Sequence, residues 1–242
     1  CIMLAGDSRQ RVFAMPFDLR GLGFDLSPAS RTLTISYRST EPIRKCAEAI
    51  IVPSIDVEFL GEKRRDHARS LRAGPEPLLQ GFPGTRRSTD LEFAANTIAQ
   101  LVRLMYQPSQ IGVFHRVRYK LEILENMLKA RQVPCVRQGF AGEGASIEGV
   151  CLTTMHAAKG LEFRCVFVIG ASKKYLPLPI AIEQAALAGA DALAAAWAAE
   201  RSLLYEAMTR AQEMLIITWS GEPSPFLEPL LSAAADNPRS DR

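Results

Sequence analysis

The chain of 242 residues is short of cysteine, aromatic side chains, net charge and long apolar runs, and each shortage excludes something. The five cysteines, Cys1, Cys46, Cys135, Cys151 and Cys165, are widely spaced and form no C-x-x-C pair. The three histidines, His67, His115 and His156, show no ligand spacing with them, which argues against a zinc site. Three of the cysteines sit in apolar runs, as reduced core cysteines of a cytosolic protein do. No stretch is apolar enough to cross a bilayer, and the Ala-rich run from Ala181 to Ala199 carries Glu183 and Asp191, so it reads as a soluble helix. An integral membrane protein is not in view. Net charge is only +3, from 29 Lys plus Arg against 26 Asp plus Glu. That excess alone does not argue for a nucleic-acid partner, so local clusters must carry any such argument.

What is present is a globular composition: 48% apolar and 23% charged residues, which excludes disorder over most of the chain. Residue 1 is Cys and opens directly onto Ile2-Met3-Leu4-Ala5 with no basic segment before it. This is not a signal peptide. It reads as a chain cut inside a strand, and the expectation is a piece of a longer protein.

Apolar patterning alternates between strand and helix. Ile2 to Ala5, Thr32 to Ser36, Leu78 to Phe82, Ile111 to Phe114, a short run near Val136, Val150 to Thr154, Cys165 to Ile169 and Met214 to Thr218 read as strands. Helical spacing predicts helices from Ser39 or Thr40 to about Ile51, over Asp90 to Tyr106, over Tyr119 to Ala130, and from Trp197 to Arg210. A short helix is expected near Leu227. Residues 60–77 read as a surface loop and Gly139 to Gly149 as a Gly-rich linker. Continuous apolar strands between helices imply an α/β layered domain with a mostly parallel sheet and no internal repeat.

Four segments place polar groups where a strand ends or a helix begins, the edges at which open α/β sheets bind ligands. They are Gly6-Asp7-Ser8-Arg9-Gln10-Arg11-Val12-Phe13, Ser36-Tyr37-Arg38-Ser39-Thr40, the run from Thr153 through His156, Lys159, Gly160 and Glu162 to Phe163, and the run from Glu200 to Ala211 containing Arg210. The third is a turn whose hydroxyls, imidazole and amides suit a phosphate-bearing partner. Each has a plainer reading as well. Polar turns are common at strand ends, Arg210 is a cation favoured near a helix C-terminus, and Arg38 is a surface ion-pair residue. Phe13 fits a plug in an apolar interface equally well. The basic clusters Lys63-Arg64-Arg65 with Arg69 and Arg72, Arg86-Arg87, Arg116-Arg118-Lys120 and Lys173-Lys174 are either a solvated surface or a phosphate-tracking one. Arg116, at a strand end, is the first of these expected to face a phosphate-bearing strand.

In order, the four segments resemble motifs III, IV, V and VI of superfamily 1 DNA helicases of the UvrD/Rep/PcrA type, over roughly Gly6 to Thr218. T-T-M-H-A-A-K-G-L-E-F followed by L-L-Y-E-A-M-T-R-A is the specific part. The resemblance implies a RecA-like (P-loop NTPase-type) fold with helices on both faces of a mostly parallel sheet. It implies part of a motor driven by ATP with Mg²⁺, moving 3′ to 5′ on single-stranded DNA or at a single-strand/duplex junction. Carried over residue by residue, Gln10 couples to the γ-phosphate and attacking water, Arg38 and Arg210 contact the γ-phosphate, and Arg210 is the arginine finger. Glu162 bonds the ribose, with Gly160 beside the nucleotide, and Tyr37 shapes the nucleotide-facing surface. Thr154 and His156 touch the DNA, and Phe13 stacks on a base. Cytoplasmic, nucleoid-associated location follows from the same resemblance.

The chain departs from the pattern at Ser36, where the family has Asn, at Ser202 and Glu206, where Arg and Val are usual, and at Met15, where a second stacking aromatic is usual. Only the Gly139–Gly149 linker stands where the family inserts an accessory subdomain before motif V. No G-x-x-x-x-G-K-S/T phosphate loop and no Asp-Glu pair after an apolar strand occurs. The resemblance therefore implies a second motor domain (31–220) with the end of a first one attached (1–30), a tail (221–242), and no ATP hydrolysis without the missing N-terminal domain. Two other readings stay open: a DNA- or protein-docking module, and a translocase or nuclease-associated relative that moves along DNA without unwinding it.

Overall fold

A computed structural model describes residues 35–51, 69–84, 89–138 and 148–235. The segment with Gln10 and Phe13, the expected strand at Ile2 to Ala5, and most of the Gly139–Gly149 linker lie outside the described residues.

Among the described residues, eight strands and six α-helices follow in chain order: β1 (Ile35–Ser36), α1 (Glu41–Ala49), β2 (Arg69–Ser70), β3 (Leu78–Phe82), α2 (Asp90–Leu104), β4 (Ile111–His115), α3 (Arg118–Ala130), β5 (Cys135–Arg137), β6 (Val150–Thr154), β7 (Phe163–Val168), α4 (Pro179–Ala188), α5 (Ala190–Met208), β8 (Ala211–Ser220) and α6 (Glu228–Ala235). Six strands form one sheet in the order β3-β8-β7-β4-β6-β5, every neighbouring pair parallel. β1 and β2 pair separately, also parallel.

Alternation along the strands builds two cores, one on each face. In β7, Cys165 and Phe167 face a layer made by Leu91, Ala94 and Ile98 of α2 and Leu121, Leu124 and Leu128 of α3. Val166 and Val168 face the other layer, with Ile43 and Ala47 of α1 and Leu203, Leu204 and Ala207 of α5. A strand covered on both faces needs apolar residues at every position, which is why it reads as a continuous run. Cys151 and Cys165 are free thiols inside these cores, and burial pushes both up to about 12.

Capping sets the helix starts. Thr89 Oγ1 accepts from Glu92 N at 3.2 Å to begin α2. Pro42 sits in the first turn of α1, where its missing N–H costs nothing. The expected single helix over the Ala-rich run is instead two helices, because Gly189 turns the chain at φ +117 between α4 and α5. α5 then ends at Met208, two residues before Arg210, which leads directly into β8. No helix among the described residues is long and apolar enough to cross a membrane.

Candidate nucleotide and nucleic-acid sites

The parallel sheet has an amino edge and a carboxyl edge, and the motif residues are divided between them. Glu162 precedes β7, Arg210 precedes β8, and Phe163 N donates to Arg210 O at 3.0 Å, so both residues lie at the amino edge. Arg38, in the loop between β1 and α1, reaches the same place: its Nη2 lies 2.6 Å from Glu162 Oε1. Gln212 Nε2 donates to Glu162 Oε2 at 3.2 Å. Beside them Tyr37 is 70% exposed, a ring with no cover.

The loop carrying Arg38 is held from several sides. Arg72 Nη1 donates to Arg38 O at 2.5 Å, Ser70 Oγ donates to Ser39 O at 2.6 Å, and Thr40 N donates to Gln212 O at 3.1 Å. Arg72 Nη2 reaches Glu213 Oε1 at 3.3 Å. At the start of α1, Arg44 forks onto Glu41, holding that carboxyl down to about 2, and Glu41 also accepts from Ser70 N at 2.6 Å. Ser70 and Arg72 belong to a stretch that the sequence presents only as a charged loop, and nothing in its pattern signals this role.

Arg210 lies deeper than a surface cation. Its side chain is 4% exposed; Nε donates to Glu206 O at 3.2 Å and Nη1 to Leu161 O at 3.4 Å. Nη2 is 3.8 Å from the Glu206 carboxylate and makes no hydrogen bond among the described residues. Burial lowers the pKa of this guanidinium and the nearby Arg38 charge adds to that, while Glu206 and Glu162 oppose it. Arg38, Glu162 and Arg210 are thus close enough to feel one another although they come from three distant segments.

Thr154, His156 and Arg116 lie at the other edge. β4 and β6 end side by side there, with His115 opposite Thr154 in register. Thr154 Oγ1 accepts from Ala157 N at 3.4 Å and starts the 3₁₀ turn Met155–Ala158. Burial lowers the pKa of His156, with the Arg116 charge adding to that. Arg116 forks onto Glu200 of α5, Nη2 to Oε1 at 2.7 Å and Nε to Oε2 at 3.0 Å, and Glu200 Oε2 also accepts from Leu178 N at 3.1 Å. Arg116, expected to face DNA, forms a strut between β4 and α5, its Nε and Nη2 engaged by a buried carboxylate.

The segment 155–162 runs from the carboxyl end of β6 to the amino end of β7 and so joins the two edges. Gly160, at φ +83 and with open space where a Cβ would be, supplies the reversal near its end.

As a nucleotide site the amino edge fits the phosphate end: two guanidiniums, one with an Nη2 that makes no hydrogen bond among the described residues, beside an exposed ring and a carboxylate. It does not fit the metal. Among the described residues no group of three or more His, Cys, Asp or Glu is placed to hold one.

Residues 140–222 match the family described as the UvrD-like helicase C-terminal domain. The chain is 38% identical over 89 residues to the ATP-dependent DNA helicase UvrD2 of Mycobacterium bovis, a match covering 37% of the chain and 12% of that relative. It is 35% identical over 106 residues to the ATP-dependent DNA helicase PcrA of Staphylococcus aureus, covering 39% of the chain and 14% of that protein. In fold it is similar to the C-terminal domain of a possible DNA helicase from Lactobacillus plantarum WCFS1, with a TM-score of 0.53, 22% identity, and coverage of 79% of this chain and 92% of the other. The stretch that matches the UvrD-like helicase C-terminal domain, residues 140–222, holds both the turn from Thr154 to Glu162 and the arginine ahead of β8.

Proposed function

We propose that this chain is the second RecA-like domain of an ATP-dependent superfamily 1 DNA motor working 3′ to 5′, contributing one wall of a nucleotide site completed by a companion domain. The observation that carries the proposal is the convergence of Arg38, Glu162 and Arg210 at one sheet edge beside the exposed Tyr37. ATP bound by the companion domain supplies the phosphoanhydride and its Mg²⁺. This chain's own residues then act as follows. Arg210 presents Nη2 to the γ-phosphoryl oxygens and offsets the charge that spreads over them, an effect worth roughly 10³–10⁵ in rate for an arginine finger. Arg38, held by Arg72 and Ser70, contacts the same group, and Glu162 accepts from the ribose. Gln10 belongs to the same machinery, on the piece assigned to the first domain (1–30). Thr154, His156 and Phe13 contact single-stranded DNA, while Arg116 holds the edge in shape through Glu200. The chain has no phosphate loop, so by itself it is inert as an ATPase. Residues 31–220 are the domain proper and 221–242 its tail, and its location is cytoplasmic.

A variant of this reading, translocation without unwinding, is favoured by one observation. β5 and β6 are adjacent parallel strands separated in sequence only by residues 138–149, the place where the family carries its accessory subdomain. The deciding experiment uses the full-length protein: Arg210→Ala abolishes ATP turnover and leaves DNA binding largely intact. Unchanged turnover refutes the assigned role. Strand displacement measured beside translocation separates the two motor readings.

A further inference from the structure

One cluster at the carboxyl edge belongs to none of the four motifs. Tyr119, in the first turn of α3, and Tyr175, in the turns after β7, share a hydrogen bond between their hydroxyls at 2.8 Å. Their rings are 6.5 Å apart and inclined at 68°, so they present differently oriented faces. Tyr119 is 49% exposed. Lys120 Nζ lies 5.5 Å from the Tyr119 ring centre and 5.6 Å from that of Tyr175, and Lys174 Nζ lies 5.5 Å from Tyr175.

The lysines here differ from their neighbours. Lys173 is paired with Glu222 at 2.8 Å and Arg116 with Glu200 at 2.7 Å. Lys120 and Lys174 have no carboxylate partner among the described residues. Two cationic side chains over two partly open rings, without an acid, make a surface that attracts phosphate and offers faces for stacking.

Its floor is rigid and uncharged. His115, buried at the end of β4, packs edge-on against Tyr175 with ring centres 5.1 Å apart, and its Nδ1 accepts from Val117 N at 2.9 Å. The ring also fills the space left by Gly170. His115 is also the register partner of Thr154, so the cluster adjoins the turn assigned above to DNA.

We infer that Tyr119, Tyr175, Lys120 and Lys174 form a stacking platform for single-stranded nucleic acid, extending the strand's path from the Thr154–His156 turn across the end of β4 onto α3. The inference rests on the reading that this edge carries DNA, and it adds the residues that hold bases there. Unstacked bases can lie on the rings while the two ammoniums meet the flanking phosphates. A duplex keeps its base faces inside and can use only the ammoniums. Every base has a face, so the platform binds without strong sequence preference.

The test is fluorescence anisotropy of the 242-residue chain with a labelled oligothymidylate of about 16 nucleotides, beside a duplex of the same length. Tyr119→Ala with Tyr175→Ala weakens single-strand binding by roughly 10-fold or more and leaves duplex binding nearly unchanged. Tyr119→Phe with Tyr175→Phe keeps both faces and retains most of the affinity. Lys120→Ala with Lys174→Ala reduces the slope of log affinity against log salt by about 1.4, two phosphates' worth for a single strand. Tyr119→Ala alone, at a half-exposed position, supplies the answer if the double variant melts early. Single-strand affinity unchanged by the Tyr→Ala variants, with loss on Thr154→Ala or His156→Ala, overturns the platform and leaves the DNA reading standing. No preference for single strand over duplex in the unsubstituted chain overturns both.

Discussion

The two edges of the six-stranded sheet differ in how their cations are paired. At the amino edge each candidate cation has an acid beside it: Arg38 lies on Glu162, Arg210 near Glu206, and Arg72 and Arg164 on Glu213. At the carboxyl edge Tyr119, Tyr175, His115 and Thr154 are uncharged, Lys120 and Lys174 have no acid among the described residues, and the carboxylate of Glu200 is engaged with Arg116. A guanidinium paired with a carboxylate is held in place until a stronger anion takes it, which suits a site that must engage a triphosphate and release it. Ring faces and unpaired ammoniums hold a long polyanion loosely and without sequence preference, which suits a track. The segment 155–162 belongs to both edges, so a shift at Glu162 has a short covalent route to Thr154.

Four experiments sharpen or break this comparison, and the largest effect belongs to the amino edge. In the full-length protein, Arg210→Lys keeps the charge but loses the forked donors, and ATP turnover falls by about 10³ while single-strand binding stays within about twofold. A stopped assay of phosphate release beside anisotropy reads both. Loss of DNA binding in step with turnover would show that the edges are not separable.

Two left-handed glycines come next. Gly170 lies at φ +69 against the His115 ring, whereas Gly160 lies at φ +83 with open space around it. Gly170→Ala adds overlap to backbone strain and costs about 3 kcal/mol, whereas Gly160→Ala costs only the strain, about 1 kcal/mol. Denaturant titrations of this chain measure both, and equal costs would mean that the His115 floor yields.

Third, burial pushes His115 down to about 3, with the Lys120 charge adding to that. Its folded pKa is below the ordinary value of 6.5, so the unfolded chain binds the extra proton first. Stability from this group is complete above pH 6.5 and is lost progressively as the pH falls toward 3. His115→Gln flattens melting temperature against pH between 6.5 and about 5.5, above the range in which carboxylates such as Glu41 begin to titrate. A slope unchanged by the substitution assigns it elsewhere.

The smallest effect is that of Arg72→Ala. Arg72 touches Arg38 only through its carbonyl, so turnover in the full-length protein drops about tenfold or less, and stability changes by under about 1 kcal/mol. A loss as large as that of Arg210→Lys would make Arg72 a direct contact.

Particular elements show how far the sequence could be read. β6 falls at the expected residues, Val150–Thr154, because a strand covered by helices must be apolar at consecutive positions; β3, Leu78–Phe82, also falls where expected, although as an edge strand it is only half-buried. The helix at Glu41 is legible in its early proline and that at Asp90 in its period, whereas the expected cap Thr40 makes no side-chain hydrogen bond among the described residues. The division of the Ala-rich run was not, since alanine suits a helix anywhere and only Gly189 marks the break. Asp90 was missed altogether. It is buried, accepts from Gly170 N at 2.9 Å and from Ser220 Oγ at 2.8 Å, and fastens the start of α2 to the carboxyl edge. In the sequence it is one more acid in a first turn.

The sequence by itself determined most of the elements, the parallel direction implied by their alternation, and the motif residues, because apolar period and short-range chemistry are written in consecutive positions. Tertiary structure decided which of those residues share an edge: Arg38 with Glu162 and Arg210, Tyr119 with Tyr175, and Arg116 with Glu200 instead of solvent. The physical reason is that strand order in a parallel sheet is set by how two helical layers cover it, and β4 between β7 and β6 brings together segments that the chain keeps far apart.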